Sequence, residues 1–285
     1  MSQGKTIQIF LPDGNPRGVK LSEITSRTVQ VVLVPRAHLE IAARRPEVGA
    51  VGVYFLVGPG DGEAAPLVYV GEAEDCLARL RQHNNAKDFW QVALVCVSRT
   101  YHFTKTHVKY LEWYSHQAIA RAGRYRLENP TAPSCPHVSE PMKADLEDNF
   151  ETLQVLTSAL GYPLFDEIQH PAKGDMLYCR GKQAEAAGEY TEDGFVVFEG
   201  STANLEEVKS AAGTWVSRIR STLVESGTLV SADGVYRFAR SQVFTSPSAA
   251  AVAVLGRNAN GWLEWKFGDG RTLHEVVRGS GGGDA

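Results

Sequence analysis

Tyr54, Tyr69, Arg79, His83 and Glu112 are the side chains whose types and spacing could do chemistry. In "PLVYVGEAEDCLARLRQH" (66–83) an apolar strand runs into a short helix, and Arg79 and His83 follow four residues apart on one exposed helix face. A guanidinium fork grips oxyanions, and phenol and imidazole groups pass protons. Glu112 and His116 repeat that spacing in a later helix, with His107 nearby, but they do not specify three-ligand zinc geometry. His102, His107 and His116 therefore read as exposed or packing residues. Each group also has an ordinary reading alone: a solvated Arg/His face, sheet tyrosines, a surface carboxylate.

The elements that must position them can be read from periodicity. "GVYFLVG" (52–58) and "LVYVGE" (67–72) are strands joined through the turn-rich "PGDGEAAP", which predicts a hairpin. Alternation places Tyr54 and Tyr69 on the face opposite Val53, Phe55, Val68 and Val70. A helix starts at about Asp75, whose carboxylate caps it, with Leu77 and Leu80 inward. "WQVALVCVS" (90–98) reads as a buried strand. "TKTHVKYLEWYSHQAIARAG" reads as a longer helix with Val108, Leu111, Ser115, Ala118 and Ala122 in its apolar stripe and Gly123 as its stop.

Around this module the chain divides further. Residues 1–48 form a β-rich lead-in, 49–135 the module itself, and 136–174 an acidic helical linker ending in "IQHPAKGD". A second domain spans 175–278. Strands are expected in "MLYCRG" and "GFVVFEGS", then a helix in "NLEEVKSAAGTWVSRIRSTLVESG" with Asn204 and Glu207 as a capping box and Gly227 as its end. A hairpin turns at "SADG", a short helix starts at Ser246 and Pro247, and "GWLEWKF" closes as a strand. The tail 279–285, "GSGGGDA", reads as disordered.

Composition bounds the function. The chain has 285 residues, 43% hydrophobic, with a net charge of −4 and a sequence pI near 6.1. That balance carries no whole-chain signature of nucleic-acid binding, so any such binding is local. Residues 72–126 hold nine Lys/Arg against five acids, a local +4. Residues 172–285 hold twelve against fourteen, a net of −2. The four cysteines lack zinc-site spacing and read as free thiols of a reducing cytosol, and no run approaches the roughly 18 apolar residues of a membrane span. A soluble, cytoplasmic protein without a membrane partner is expected.

"GVY" (52–54), "YVG" (69–71), Arg79, His83, Glu112 and the Asn129 of "LENP" together resemble the GIY-YIG nuclease module, over roughly residues 49–131. Val53 and Val70 stand where that family has isoleucine, a β-branched exchange within strands. The resemblance implies an α+β fold: a small antiparallel-sheet nuclease module flanked by helices, followed here by a second small α+β domain. It implies a Mg²⁺-dependent (or Mn²⁺-dependent) endonuclease with one metal per active site and Glu112 as the metal ligand, a choice that suits magnesium's taste for few carboxylates and many waters. Arg79 would clamp the phosphate. Tyr69 would activate or orient the water with Tyr54 or His83 as relay, the general base staying open among the three. Asn129 would shape the site by fixing a loop. Gly71 would let the backbone approach substrate at a strand exit, and Lys105 and Lys109 would bind it.

"FTSPSAAAVAVLGRNANGWLEWKF" (244–267) resembles the domain appended to restriction enzymes and adenine methylases (RAMA), chiefly through "SPSAAA", "GRNANGW" and Trp265. That likeness implies binding of DNA, possibly modified. With little phosphate attraction such a domain needs specific contacts, from Arg257, Asn258 and Asn260. Trp262 and Trp265 would face opposite sides of a regular strand, leaving one in the core. The expected function is DNA cleavage in restriction or phage defence, the alternative being a noncatalytic DNA-binding adaptor; RNA cleavage is a third reading. A single site nicks one strand, so a double-strand break needs two encounters or a transient or stable dimer.

Overall fold

The computed structural model describes residues 4–60, 65–167, 176–191, 194–208 and 213–279. They form two compact units, one of residues 4–59 and 66–167, the other of residues 176–191, 194–208 and 213–279 together with Gly60 and Ala65. Both are mixed α+β with mainly antiparallel sheets. No helix among the described residues is long and apolar enough to cross a membrane.

The first unit contains β1 (Ile7–Phe10), β2 (Lys20–Ile24), β3 (Val29–Pro35), α1 (Leu39–Ala42), β4 (Gly52–Gly58), β5 (Leu67–Ala73), α2 (Cys76–Ala86), β6 (Val92–Ser98), α3 (Lys105–Ala122), β7 (Arg126–Leu127) and α4 (Glu140–Ala159). Its seven strands run in the order β1-β2-β3-β6-β4-β5-β7. All pairs are antiparallel except β5 with β7. The expected β4–β5 hairpin forms, with Tyr54 opposite Gly71 and Leu56 opposite Tyr69.

Alternation gives this sheet two apolar faces, and each has its own helices. Val31, Val53, Phe55, Val68 and Val70 pack on one side with Val108, Leu111 and Ile119 of α3 and with Leu146, Phe150, Leu153 and Leu156 of α4. Val32, Val34, Tyr54, Leu56, Val95 and Val97 pack on the other with Leu39, Ala42 and Leu80. Each such side chain contributes roughly 1.5–3 kcal/mol on burial, so neither helix layer can be removed without cost. The N-terminal strands are thus part of the module's own sheet rather than a separate lead-in. The segment expected as a linker carries α4, a core helix; its "IQHPAKGD" end lies outside the described residues.

The second unit contains β8 (Leu177–Arg180), β9 (Glu185–Thr191), β10 (Gly194–Val197), β11 (Thr202–Asn204), α5 (Trp215–Glu225), β12 (Leu229–Ala232), β13 (Val235–Phe238), β14 (Gln242–Phe244), α6 (Pro247–Leu255), α7 (Gly261–Glu264), β15 (Lys266–Phe267) and α8 (Leu273–Val277). A five-stranded sheet, β14-β10-β9-β8-β15, accompanies a three-stranded one, β11-β13-β12. The α6 residues from Ala249 to Leu255 are all buried, as a helix apolar all round should be.

Two sequence expectations fail here. Asn204 caps no helix: it ends β11, accepting from Gln183 N–H and donating to the Leu255 carbonyl, while α5 starts ten residues later on the Thr214 hydroxyl. "GWLEWKF" is not one strand but the short helix α7 followed by the two-residue β15. The hairpin at "SADG" does form, its two turn residues Asp233 and Gly234 both at positive φ. The tail from residue 280 lies outside the described residues.

Candidate functional site

Cross-strand register decides where the two phenols go. Tyr54 sits opposite Gly71, and a Cβ on residue 71 would stand 2.2 Å from the Tyr54 Oη. Gly71 therefore lies inside β5, and it is glycine because the phenol crosses it, not because the chain exits there. Tyr54 is fully buried, while Tyr69, two residues before Gly71, keeps a partly exposed ring.

Helix α2 adds the next groups. Asp75 caps it, accepting from Ala78 N–H at 2.9 Å. Leu80 enters the core beneath it, and His83, one turn on, follows it inward. His83 is only 5% exposed, so the expected exposed Arg79/His83 face is half correct: Arg79 alone is exposed. The His83 Nε2 and the Tyr54 Oη share a hydrogen bond of 2.9 Å. The Tyr69 and His83 rings are 5.1 Å apart, and the Lys87 ammonium lies 4.6 Å over the Tyr69 ring.

These contacts fix protonation states. Burial drives the Tyr54 phenol far above its usual range, so it stays protonated. Burial, with Arg79 and Lys87 adding repulsion, lowers His83 to about 4, a neutral imidazole at pH 7. The Arg79 guanidinium is in turn held charged by Tyr54, and less by Tyr69.

The carboxylate comes from α3, whose apolar stripe packs as expected and whose end is set by Gly123 in the left-handed region, φ 69°. Glu112 is half-buried beside that stripe. Burial, and then the nearby Glu72 carboxylate, raise it to about 7, opposed by Lys105, Lys109 and Arg79. Lys105, the first residue of α3, is ion-paired with Glu72 at 2.8 Å; Lys109 is exposed. His116 is buried with its Nδ1 unpartnered, and His107 closes the α3 capping box with Thr104. Among the described residues no group of three or more His, Cys, Asp or Glu is arranged to hold a metal.

Asn129 acts on β5 itself. Its Oδ1 accepts from Val70 N–H at 2.9 Å and its Nδ2 donates to the Val70 carbonyl at 2.8 Å. The side chain thus substitutes for a strand partner between Tyr69 and Gly71, rather than fixing a closing loop. The structure gathers Tyr54, Tyr69, Arg79, His83, Glu112, Gly71 and Asn129 around one end of β5. It adds Glu72 and Lys87, which sequence reasoning missed; Glu72 directly follows "YVG", and Lys87 lies one further turn from His83.

In the second unit the candidate recognition residues have internal partners. Arg257 pairs with Glu264 at 2.7 Å, Asn260 caps α7 through Trp262 N–H, and Asn258 is exposed. Trp265 is the core tryptophan, its indole N–H donating to the Pro247 carbonyl at 3.0 Å. Gly261 allows α7 to approach α6: a Cβ there would stand 2.0 Å from the Pro247 oxygen. "SPSAAA" and "GRNANGW" are thus two halves of one packing contact. All four cysteines are free.

Residues 177–277 match a family described as a domain of unknown function (DUF4357). No curated protein and no solved structure matches the chain. The match falls wholly within the second unit, so the first is read from its own chemistry.

Proposed function

We propose that the protein is a GIY-YIG-type endonuclease that hydrolyses DNA phosphodiester bonds with the help of a divalent metal. The observation that carries this reading is the meeting of Tyr54, Tyr69, Arg79 and His83 beside a half-buried carboxylate from a second helix. Such a set can grip a phosphate, orient a water and pass its proton.

Burial supports a division of labour among the phenols. Tyr54 is sealed from solvent, so it serves behind the front line with His83 as its proton partner. The partly exposed Tyr69 is the phenol able to reach a water or a phosphate oxygen. Arg79, exposed and charged, grips the phosphate by its fork. His83, kept neutral near pH 7 by burial and by Arg79 and Lys87, holds the Tyr54 hydroxyl at 2.9 Å and so orients that phenol.

Glu112 suits a magnesium or manganese ion on chemical grounds. A carboxylate raised to about 7 by burial and by a neighbouring carboxylate lacks a full counter-charge, and a single carboxylate with waters is an ordinary magnesium environment. Bound there, the metal would neutralise charge developing on the phosphate. The second unit would select the substrate, in restriction or phage defence.

The test is cleavage of matched unmodified and modified phage DNA with Mg²⁺, beside Glu112→Ala and an EDTA control. Cutting by the wild type that disappears in both controls is expected. DNA binding with no cutting of any substrate would overturn the reading in favour of an adaptor that keeps the site for positioning.

A further inference from the structure

The β1 edge of the first unit's sheet carries a second polar cleft that the cluster above does not use. Its volume is about 370 Å³, inside the roughly 300–1,000 Å³ range of small-ligand sites. Two exposed aromatics line it, Phe10 at 57% and Tyr101 at 64%. Between them the cleft presents Gln30, only 6% exposed and yet without a side-chain hydrogen bond to any described residue. Its amide opens into the cleft, where it offers a ligand both a donor and an acceptor.

Charge narrows the ligand. The cleft's two carboxylates each have an arginine: Glu23 pairs with Arg99 at 3.1 Å and Glu47, through its Oε1, with Arg45 at 2.8 Å, while the Glu47 Oε2 is buried with no hydrogen-bond partner among the described residues. Arg99, which also lines the cleft, is engaged by Glu23 and cannot act as a free phosphate fork. The site therefore suits a neutral, planar group with a hydrogen-bonding edge. Tyr101 strengthens this. It holds a left-handed backbone, φ 56°, that non-glycine residues adopt at a cost and that clusters at functional sites.

The cleft shares a sheet face with the tyrosine cluster. Register aligns Phe10, Leu21, Val32, Val95, Tyr54 and Gly71 in one row across the sheet, with Gln30 in the adjacent row on the same face. Gln30 on β3 is two strands from β4, roughly 10 Å across the sheet at ordinary strand spacing. We propose that this cleft binds an unpaired base of single-stranded DNA, stacked by Phe10 and Tyr101 and read along its edge by the Gln30 amide. An amide offers both a donor and an acceptor to a base edge, and base stacking on aromatics tolerates any base.

The experiment uses the full chain in EDTA and follows fluorescence anisotropy of two labelled 12-mers: one of dA, and one of abasic sites with the same number of phosphates. The wild type should bind the base-bearing strand about tenfold or more tightly than the abasic one. Tyr101→Ala and Phe10→Ala should each lose about tenfold on the dA strand alone, and Gln30→Leu should lose affinity for the same strand. Equal binding of both strands by the wild type, or unchanged dA affinity in the variants, overturns the proposal. If Gln30→Leu does not fold, the exposed Tyr101→Ala decides. Glu112→Ala, which removes cutting under the hydrolytic reading, should keep the base-dependent difference, so the two readings fail separately.

Discussion

A histidine buried against a phenol resists protonation, because the imidazolium loses its water and meets Arg79 and Lys87. In the unfolded chain His83 takes its proton near 6.5; in the folded chain it does so only near 4. Between those values the unfolded state binds more protons, so stability rises with pH across that window and is lost as acid is added. The gap corresponds to at most about 3 kcal/mol. His83→Gln should remove this dependence: urea midpoints of wild type and variant should lie further apart at pH 7 than at pH 4.5. Equal acid sensitivity in both proteins would mean that His83 does not resist its proton. The pairing of Tyr54 with Tyr69 was legible in the sequence because alternation depends on the backbone alone. The burial of His83 was not, since a four-residue spacing says that two side chains share a face but not what covers it. The need for glycine at 71 was equally hidden, because it arises from a ring on the neighbouring strand.

At the scale of elements, β5 depends on its outer edge. β7 pairs only with Leu67 and Val68, and the Glu128 N–H reaches the Val68 carbonyl at 2.8 Å. Beyond that point the Asn129 amide takes over at Val70. Asn129→Ala would leave both backbone groups of this buried residue without partners, at a cost of about 1–3 kcal/mol. Hydrogen exchange should show the Val70 amide opening faster in the variant while amides of β3 and β6 keep their relative protection. Unchanged exchange at Val70 would show that Asn129 does not hold the strand. Elements with a strong period were legible: β4, β5, β6 and α3 fall where their patterns put them. Elements with weak local signals were not. The Asn204/Glu207 spacing imitates a capping box, yet Asn204 is held in β11 by tertiary bonds to Gln183 and Leu255. "GWLEWKF" has the aromatic content of a strand, but the close fit of Gly261 under Pro247 turns it into α7.

For the whole molecule, the buried clusters sort by unit. Those of the first include no residue beyond Phe165, and those of the second none before Met176, among the described residues. The acidic residues of α4 hid its membership in the first core, although Leu146, Phe150, Leu153 and Leu156 recur at helical spacing. In the second unit the decisive buried polar group is Arg220, 2% exposed. It donates to the carbonyls of Ala253, Asn204 and Leu205 and pairs with Glu207 at 3.3 Å. Burial weakens its hold on its proton, but three carbonyls and a carboxylate keep the charge in place. Arg220→Leu takes the donor from three carbonyls, at about 1–3 kcal/mol each and so roughly 3 kcal/mol or more in all, while the partly exposed Glu207 keeps the Ser217 hydroxyl. For a domain of this size that is a fall of more than roughly 12 °C in Tm. Because the cores share no residue, the loss should be confined to the second unit. Trp265 is buried there, so its fluorescence should report an early transition, while hydrogen exchange at Val70 in β5 stays at the wild-type rate. A Val70 amide that loses protection together with Trp265 would mean that the two cores melt as one, and that the second unit supports the tyrosine cluster's stability.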